Sequence, residues 1–71
     1  MKITDASTFG TAIRTRRKAL GYTQAYISEF TGLSISFLSD LENGKKTIEL
    51  EKALSVAMLL GLDLTMNVRG I

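Results

Sequence analysis

The segment from Ser34 to Asn43 carries side chains suited to short-range hydrogen bonding. At 100° per residue, Leu38 and Leu41 define one side of a helix, with Leu33 and Ser34 near it. Ser36, Ser39, Asp40 and Asn43 fall on the opposite side, and Ile35, Phe37 and Glu42 sit at the borders. A helix entering the major groove of a duplex needs such a face: a slim end, short polar groups for base edges, and a methyl-bearing residue for thymine. An ordinary solvated helix carries a Lys/Glu mixture instead. The plain structural alternative is a helical hairpin with a serine-rich surface. Catalytic chemistry finds no support, because the chain has neither His nor Cys and no carboxylates spaced as an acid/base pair. The expectation is therefore no catalytic residue, no metal site and no cofactor.

Two elements must position that face. Thr23 has the chemistry of an N-cap, and Gln24 to Thr31 supports two turns of helix. Gly32 supplies a position where φ can be positive, Leu33 and Ser34 lead into the second helix with Ser34 as its cap, and Asn43-Gly44 ends it. A helix-turn-helix over residues 23–44 is predicted. Net charge is only +2, but it is unevenly placed. Arg14, Arg16, Arg17 and Lys18 supply four of the nine basic residues within five positions, and Lys45 and Lys46 follow the second helix. Two basic clusters flanking a small polar helix fit a phosphate clamp, although a charge run by itself is more often a solvated face.

Around this unit, Ser7 is expected to cap a first helix that runs to Leu20 and ends at Gly21, with Phe9, Ile13 and Leu20 as its buried stripe. Arg16 and Arg17 both lie at the edges of that stripe, and the wheel does not say which is inside. After the connection Lys45–Ile48, a helix from Ile48 to Leu60 is expected, opened by Thr47 with Glu49 or Leu50. Leu50, Leu54, Ala57 and Met58 point one way, toward the core, while Val56 and Leu59 fall away from it. A helix apolar on two sides is buried on two sides, and so short a chain needs a second subunit to cover the extra one. Beyond Gly61 the period changes to two: Leu62, Leu64, Met66 and Val68 alternate with Asp63, Thr65, Asn67 and Arg69. A lone strand leaves its backbone groups unpaired, so its partner is expected in another copy or another protein.

The bulk numbers bound the class. Seventy-one residues, 45% of them apolar, make one globular domain with a core of marginal size, and the absence of proline suits a helical chain. The first residues lack the apolar run of a signal peptide, and the longest apolar run, Val56–Leu60, is too short to span a bilayer. Freedom from cysteine fits a reducing cytoplasm, so a cytoplasmic, nucleoid-associated protein with no membrane partner is expected.

The run Ile13-Arg14-x-x-Arg17-x-x-x-Gly21-x-Thr23-Gln24, with Ile27-Ser28-x-x-x-Gly32-Leu33-Ser34 and Leu38-Ser39-x-Leu41-Glu42-Asn43-Gly44, resembles the Cro/repressor (Xre-type) family over roughly residues 9 to 61. Ser28 departs from the alanine more usual there, but serine is small enough to keep the close crossing. The resemblance implies that Arg17 pairs with Glu42, and that Gln24 contacts a backbone phosphate and buttresses the second helix of the motif. Arg14, Arg16 and Lys18 are left freer, for phosphate contact or for plain solvation. Most members end in a fifth helix where this chain has an alternating tail. A strand there resembles the HipB-type antitoxins, whose tails pair into a dimeric ribbon, and Leu62-Asp63-Leu64-Thr65-Met66 looks like their L-x-L-x-M run.

These readings converge on an all-α, lambda-repressor-like helix-turn-helix domain of four helices plus a C-terminal β-strand that pairs across a dimer. The domain is single, over 1–71, with the dimerisation helix and strand at 48–71. The candidate base readers are Ser34, Ile35, Ser36, Ser39 and Asp40, and Gln24, Asn43, Lys45, Lys46, Arg14 and Lys18 complete the candidate DNA-binding residues. Phe37 is left between sugar-phosphate, thymine methyl and core. Val56, Leu59, Leu62, Leu64, Met66 and Val68 are the candidate dimer contacts. The implied function is a repressor of a palindromic operator, as the antitoxin that regulates its own operon and neutralises a HipA-type serine/threonine kinase. A stand-alone phage-type or metabolic repressor, and a protein-interaction module that binds no DNA, are the alternatives.

Overall fold

The computed structural model describes residues 2–70, and among them the chain forms four helices: α1 (Ala6–Ala19), α2 (Gln24–Thr31), α3 (Ile35–Glu42) and α4 (Leu50–Leu59). The end residues Met1 and Ile71 lie outside the described residues. The fold is lambda-repressor-like. Its core is one cluster of Ile13, Ile27, Leu38, Leu41, Ala53, Val56, Ala57 and Leu60, with Phe9, Tyr22, Leu33, Phe37, Ile48 and Leu62 packed at its edge.

The starts of α1, α2 and α3 are each fixed by a side-chain cap, whereas α4, expected from Ile48, begins at Leu50 behind Glu49, whose side chain makes no cap bond. The cap of α1 is Asp5 and not Ser7: the Asp5 carboxylate accepts from the Thr8 backbone N–H at 2.8 Å, and Thr8 Oγ1 accepts from the Asp5 N–H at 3.1 Å. This reciprocal box needs polar side chains three residues apart, which Asp5 and Thr8 supply; Ser7 is followed at that distance by Gly10, which has no side chain to return the bond. At the far end Leu20 is the C-cap and 37% exposed, so it drops out of the buried stripe, which is Phe9, Gly10 and Ile13. Gly10 is where α1 crosses α3. A Cβ there would collide with the Leu41 carbonyl oxygen and stand 2.7 Å from the Glu42 carbonyl oxygen. Only a residue without a side chain lets the two backbones come this close.

Helix α4 is rotated by about a quarter turn from its expected setting. Ala53, Val56, Ala57 and Leu60 face the core, whereas Leu50 and Met58 are 65% and 71% exposed. Ala53 and Ala57, one turn apart, are each 1% exposed, so small side chains and not Leu50 or Met58 lie at the centre of the buried face. Val56, expected at a dimer contact, is therefore 1% exposed and covered by its own chain. A second apolar face does exist, formed by Leu50, Leu54 and Met58, with Leu59 half covered on the other flank.

Residues 62–70 belong to no helix, and no strand forms among the described residues. Leu62 packs against the core edge, Leu64 is half covered, and Met66 and Val68 are fully exposed. The radius of gyration, 12.2 Å, exceeds the ~11 Å of a compact chain of this length, because this tail stands off the helices.

Candidate nucleic-acid interface

The pair α2–α3 is held by bonds from small hydroxyl side chains. Thr23 Oγ1 accepts from the Tyr26 N–H at 3.0 Å and starts α2. Thr31 Oγ1 donates to the Ile27 carbonyl at 2.7 Å and accepts from the Leu33 N–H at 3.1 Å, bridging the turn. Gly32 sits at φ 77°, the left-handed conformation that the tight turn requires. Ser34 Oγ accepts from the Phe37 N–H at 2.9 Å and starts α3. Its hydroxyl thus serves first as a helix cap, which narrows its part in base reading.

The far end of α3 is fixed by one buried carboxylate. Glu42, 8% exposed, accepts from Arg17 Nε at 2.7 Å, from Arg17 Nη2 at 2.9 Å and from Gln24 Nε2 at 3.1 Å. Arg17 Nη1 donates to the Tyr22 carbonyl at 2.8 Å. The planar guanidinium fits this two-toothed contact, which gives direction as well as attraction. Burial by itself pushes the Glu42 carboxyl up. The hydrogen bonds from Arg17 and Gln24, with the charges of Arg17 and Arg14, outweigh it and hold the group below its ordinary 4.5. Gln24 therefore does buttress α3, through Glu42.

Between these anchors the outer face of α3 is open. Ile35, Ser36 and Asn43 are exposed, while Ser39 and Asp40 are half-buried. Asn43 Nδ2 donates to Ser39 Oγ at 3.4 Å, and Lys45 Nζ lies 3.5 Å from Asp40 Oδ2. The acid on the outer face of α3 thus has a cation beside it, a pairing that the i,i+5 spacing hides on a wheel because Lys45 lies beyond the helix. Phe37 turns toward the core edge, where Lys52 Nζ stands 6.0 Å from its ring centre; its place is packing. Arg14, Lys18, Lys45 and Lys46 are all exposed, as phosphate contacts require. Arg16 is not free: its Nε donates to the Leu60 carbonyl oxygen at 2.8 Å. No sequence pattern announced that bond, whereas Gly10 could have been noticed as a glycine inside an otherwise good helix.

No curated protein matches the chain significantly. Among solved structures, a HipB–O4 20mer complex has the same fold, with TM-score 0.87 at 21% identity and 99% of both chains covered. A HipB variant in an O2 20mer complex gives TM-score 0.87 at 23% identity, over 99% of this chain and 97% of that one. A structure described as MDT protein gives 0.87 at 21%, again over 99% of both. The helix-turn-helix family model matches residues 13–66, which include the caps of α2 and α3 and the Arg17–Glu42–Gln24 cluster, so the chain belongs to the Xre-type helix-turn-helix family of DNA-binding domains.

Proposed function

We propose that this protein is a dimeric repressor that reads an inverted-repeat operator with α3. The observation that carries the reading is the clamped, open helix: Ser34 caps one end of α3, Glu42 is buried under Arg17 and Gln24 at the other, Ile35 and Ser36 stand out between them, and Asn43 stands out just beyond. Fixed ends hold a short helix at a constant angle, and short side chains let it approach base edges. The dimer would form through the tail, residues 62–70, paired as antiparallel strands, with Leu59, Leu64, Met66 and Val68 as contacts. The exposed shoulder of Leu50, Leu54 and Met58 is apolar surface for the same purpose. A cytoplasmic, chromosome-associated protein is implied.

The likeness to HipB over essentially the whole chain, tail included, supports the narrower reading of an antitoxin that controls its own operon and neutralises a HipA-type kinase. One design tests both parts. A random duplex library, selected on the full-length protein, should return an inverted repeat, and Ser36→Ala should change the selected bases. Co-expression with any kinase encoded beside this gene should recover a complex and lower that kinase's activity in cells. No enrichment of an inverted repeat ends the repressor reading; a repeat without kinase capture leaves a stand-alone repressor.

A further inference from the structure

Two neighbouring residues of α1 hold two different elements. Arg17 clamps the end of α3 through Glu42. Arg16 reaches the Leu60 carbonyl oxygen, 44 residues away in sequence, in a partly buried bond. Leu60 is the C-cap of α4, and the helix ends there, so no later helical N–H comes to its carbonyl. The chain then turns at once. Gly61 takes φ 75°, its N–H returns to the Met58 carbonyl at 3.0 Å, and the Leu62 N–H returns to the Ala57 carbonyl at 2.9 Å. These paired bonds define the exit corner of α4. A Cβ on Gly61 would stand 3.4 Å from Arg16 Nη2, so the guanidinium lies along the corner itself. Leu62 then packs at the edge of the core, and with Ala12, Thr15, Arg16 and Ala19 of α1 it lines a shallow open pocket beside the corner.

We propose that Arg16 is a positioning residue that fixes the interval between the two reading helices of the dimer. The inference rests on the tail-paired dimer proposed above. If two copies meet through their tails, each tail is tied to its α3 by the core that Leu60 shares with Leu38 and Leu41 and by a polar path from Arg16 along α1 and through Arg17 to Glu42, which fixes direction as packing alone does not. Slack at the exit corner is then carried to both reading helices, and one base pair of operator is only ~3.4 Å of rise and about a tenth of a turn.

The test compares side chains with and without a donor at that point. Gln has a side-chain N–H the same number of bonds from Cα as Arg Nε, whereas Met has the same length and no donor. The chain contains no cysteine, so Ser36→Cys places one spin label on each α3 of the full-length dimer. Label-to-label distances by pulsed dipolar spectroscopy should form one narrow distribution in the otherwise unchanged protein. Arg16→Met should at least double its width, and Arg16→Gln should keep it. Duplexes from the library selection, with the spacer changed by one base pair, should lose at least fivefold in discrimination with Arg16→Met alone. A width and spacer preference unchanged by Arg16→Met, or a loss equal in Arg16→Gln, overturns the proposal while leaving the dimer intact. Should Arg16→Met fail to fold, Arg16→Lys, whose donor lies one bond too far, replaces it against Arg16→Gln under the same criteria. A protein without dipolar signal that sediments as a monomer removes the dimer, and this inference with it.

Discussion

Glu42 ends α3, and all three hydrogen bonds to its carboxylate come from inside the molecule. Removing one partner of a buried pair costs ~3–5 kcal/mol, because the other charge is left without compensation. Glu42→Gln keeps the shape and loses the charge, so the melting temperature at neutral pH should fall by more than ~10 °C for a loss of ~3 kcal/mol in a domain this size. The pH dependence has a definite sign. The folded pKa is held below the ordinary 4.5, so the stabilisation is fully present above that value and is lost as pH falls through the lower, folded one. Melting curves of the unsubstituted protein should therefore decline below about pH 4.5, and those of Glu42→Gln should be flatter there. Asp40 is different, since it is half-exposed and beside Lys45. Asp40→Ala should relax base preference at one position per half-site and raise non-specific affinity by releasing Lys45. Lys46→Ala should weaken all sequences alike and lower the salt slope by about one, read by anisotropy titrations at several salt concentrations.

Between elements, the contact that decides most is the crossing of α1 on α3 at Gly10. Gly10→Ala drives a methyl into the carbonyls of Leu41 and Glu42, and backbone cannot yield as a flexible side chain would. The expected cost is ~1–3 kcal/mol, together with weaker DNA binding from a displaced α3; calorimetry and titration of one preparation check both. This crossing also shows what could be read from sequence. The caps Thr23 and Ser34, the turn at Gly32, the stop at Asn43 and the inward Leu38 and Leu41 were all legible, because each follows from local chemistry over a few residues. The Arg17–Glu42 pair was legible only through family resemblance. The rotation of α4 was not, since its large apolar residues point to a face through Leu50 and Met58, while the residues buried are Ala53, Val56, Ala57 and Leu60. Asp5 as the cap could have been found from its partner Thr8.

For the whole molecule, the tail is the part that the helices do not need. Every residue of the core, from Ile13 to Leu60, precedes Asp63, and the corner bonds at Gly61 and Leu62 precede it as well. Deleting Asp63–Ile71 should therefore leave a folded helix-turn-helix domain with little change in its circular dichroism. Met66 and Val68, which lie in the open in one chain, would then no longer offer apolar edges to a second copy. The truncated chain should sediment as a monomer at concentrations where the full chain is a dimer. DNA binding should follow for a separate reason: a dimer joins its two half-site contacts through an effective concentration, commonly a gain of 10²–10⁴ in affinity without any new contact. The truncated chain should lose affinity of that order for an inverted repeat and keep its affinity for a single half-site. Sedimentation and the two duplexes, measured together, separate a lost dimer from a damaged reading helix, since only the latter weakens the half-site. A truncated chain that still sediments as a full dimer places the contact on the Leu50–Leu54–Met58 shoulder instead, and the paired-tail arrangement is then wrong.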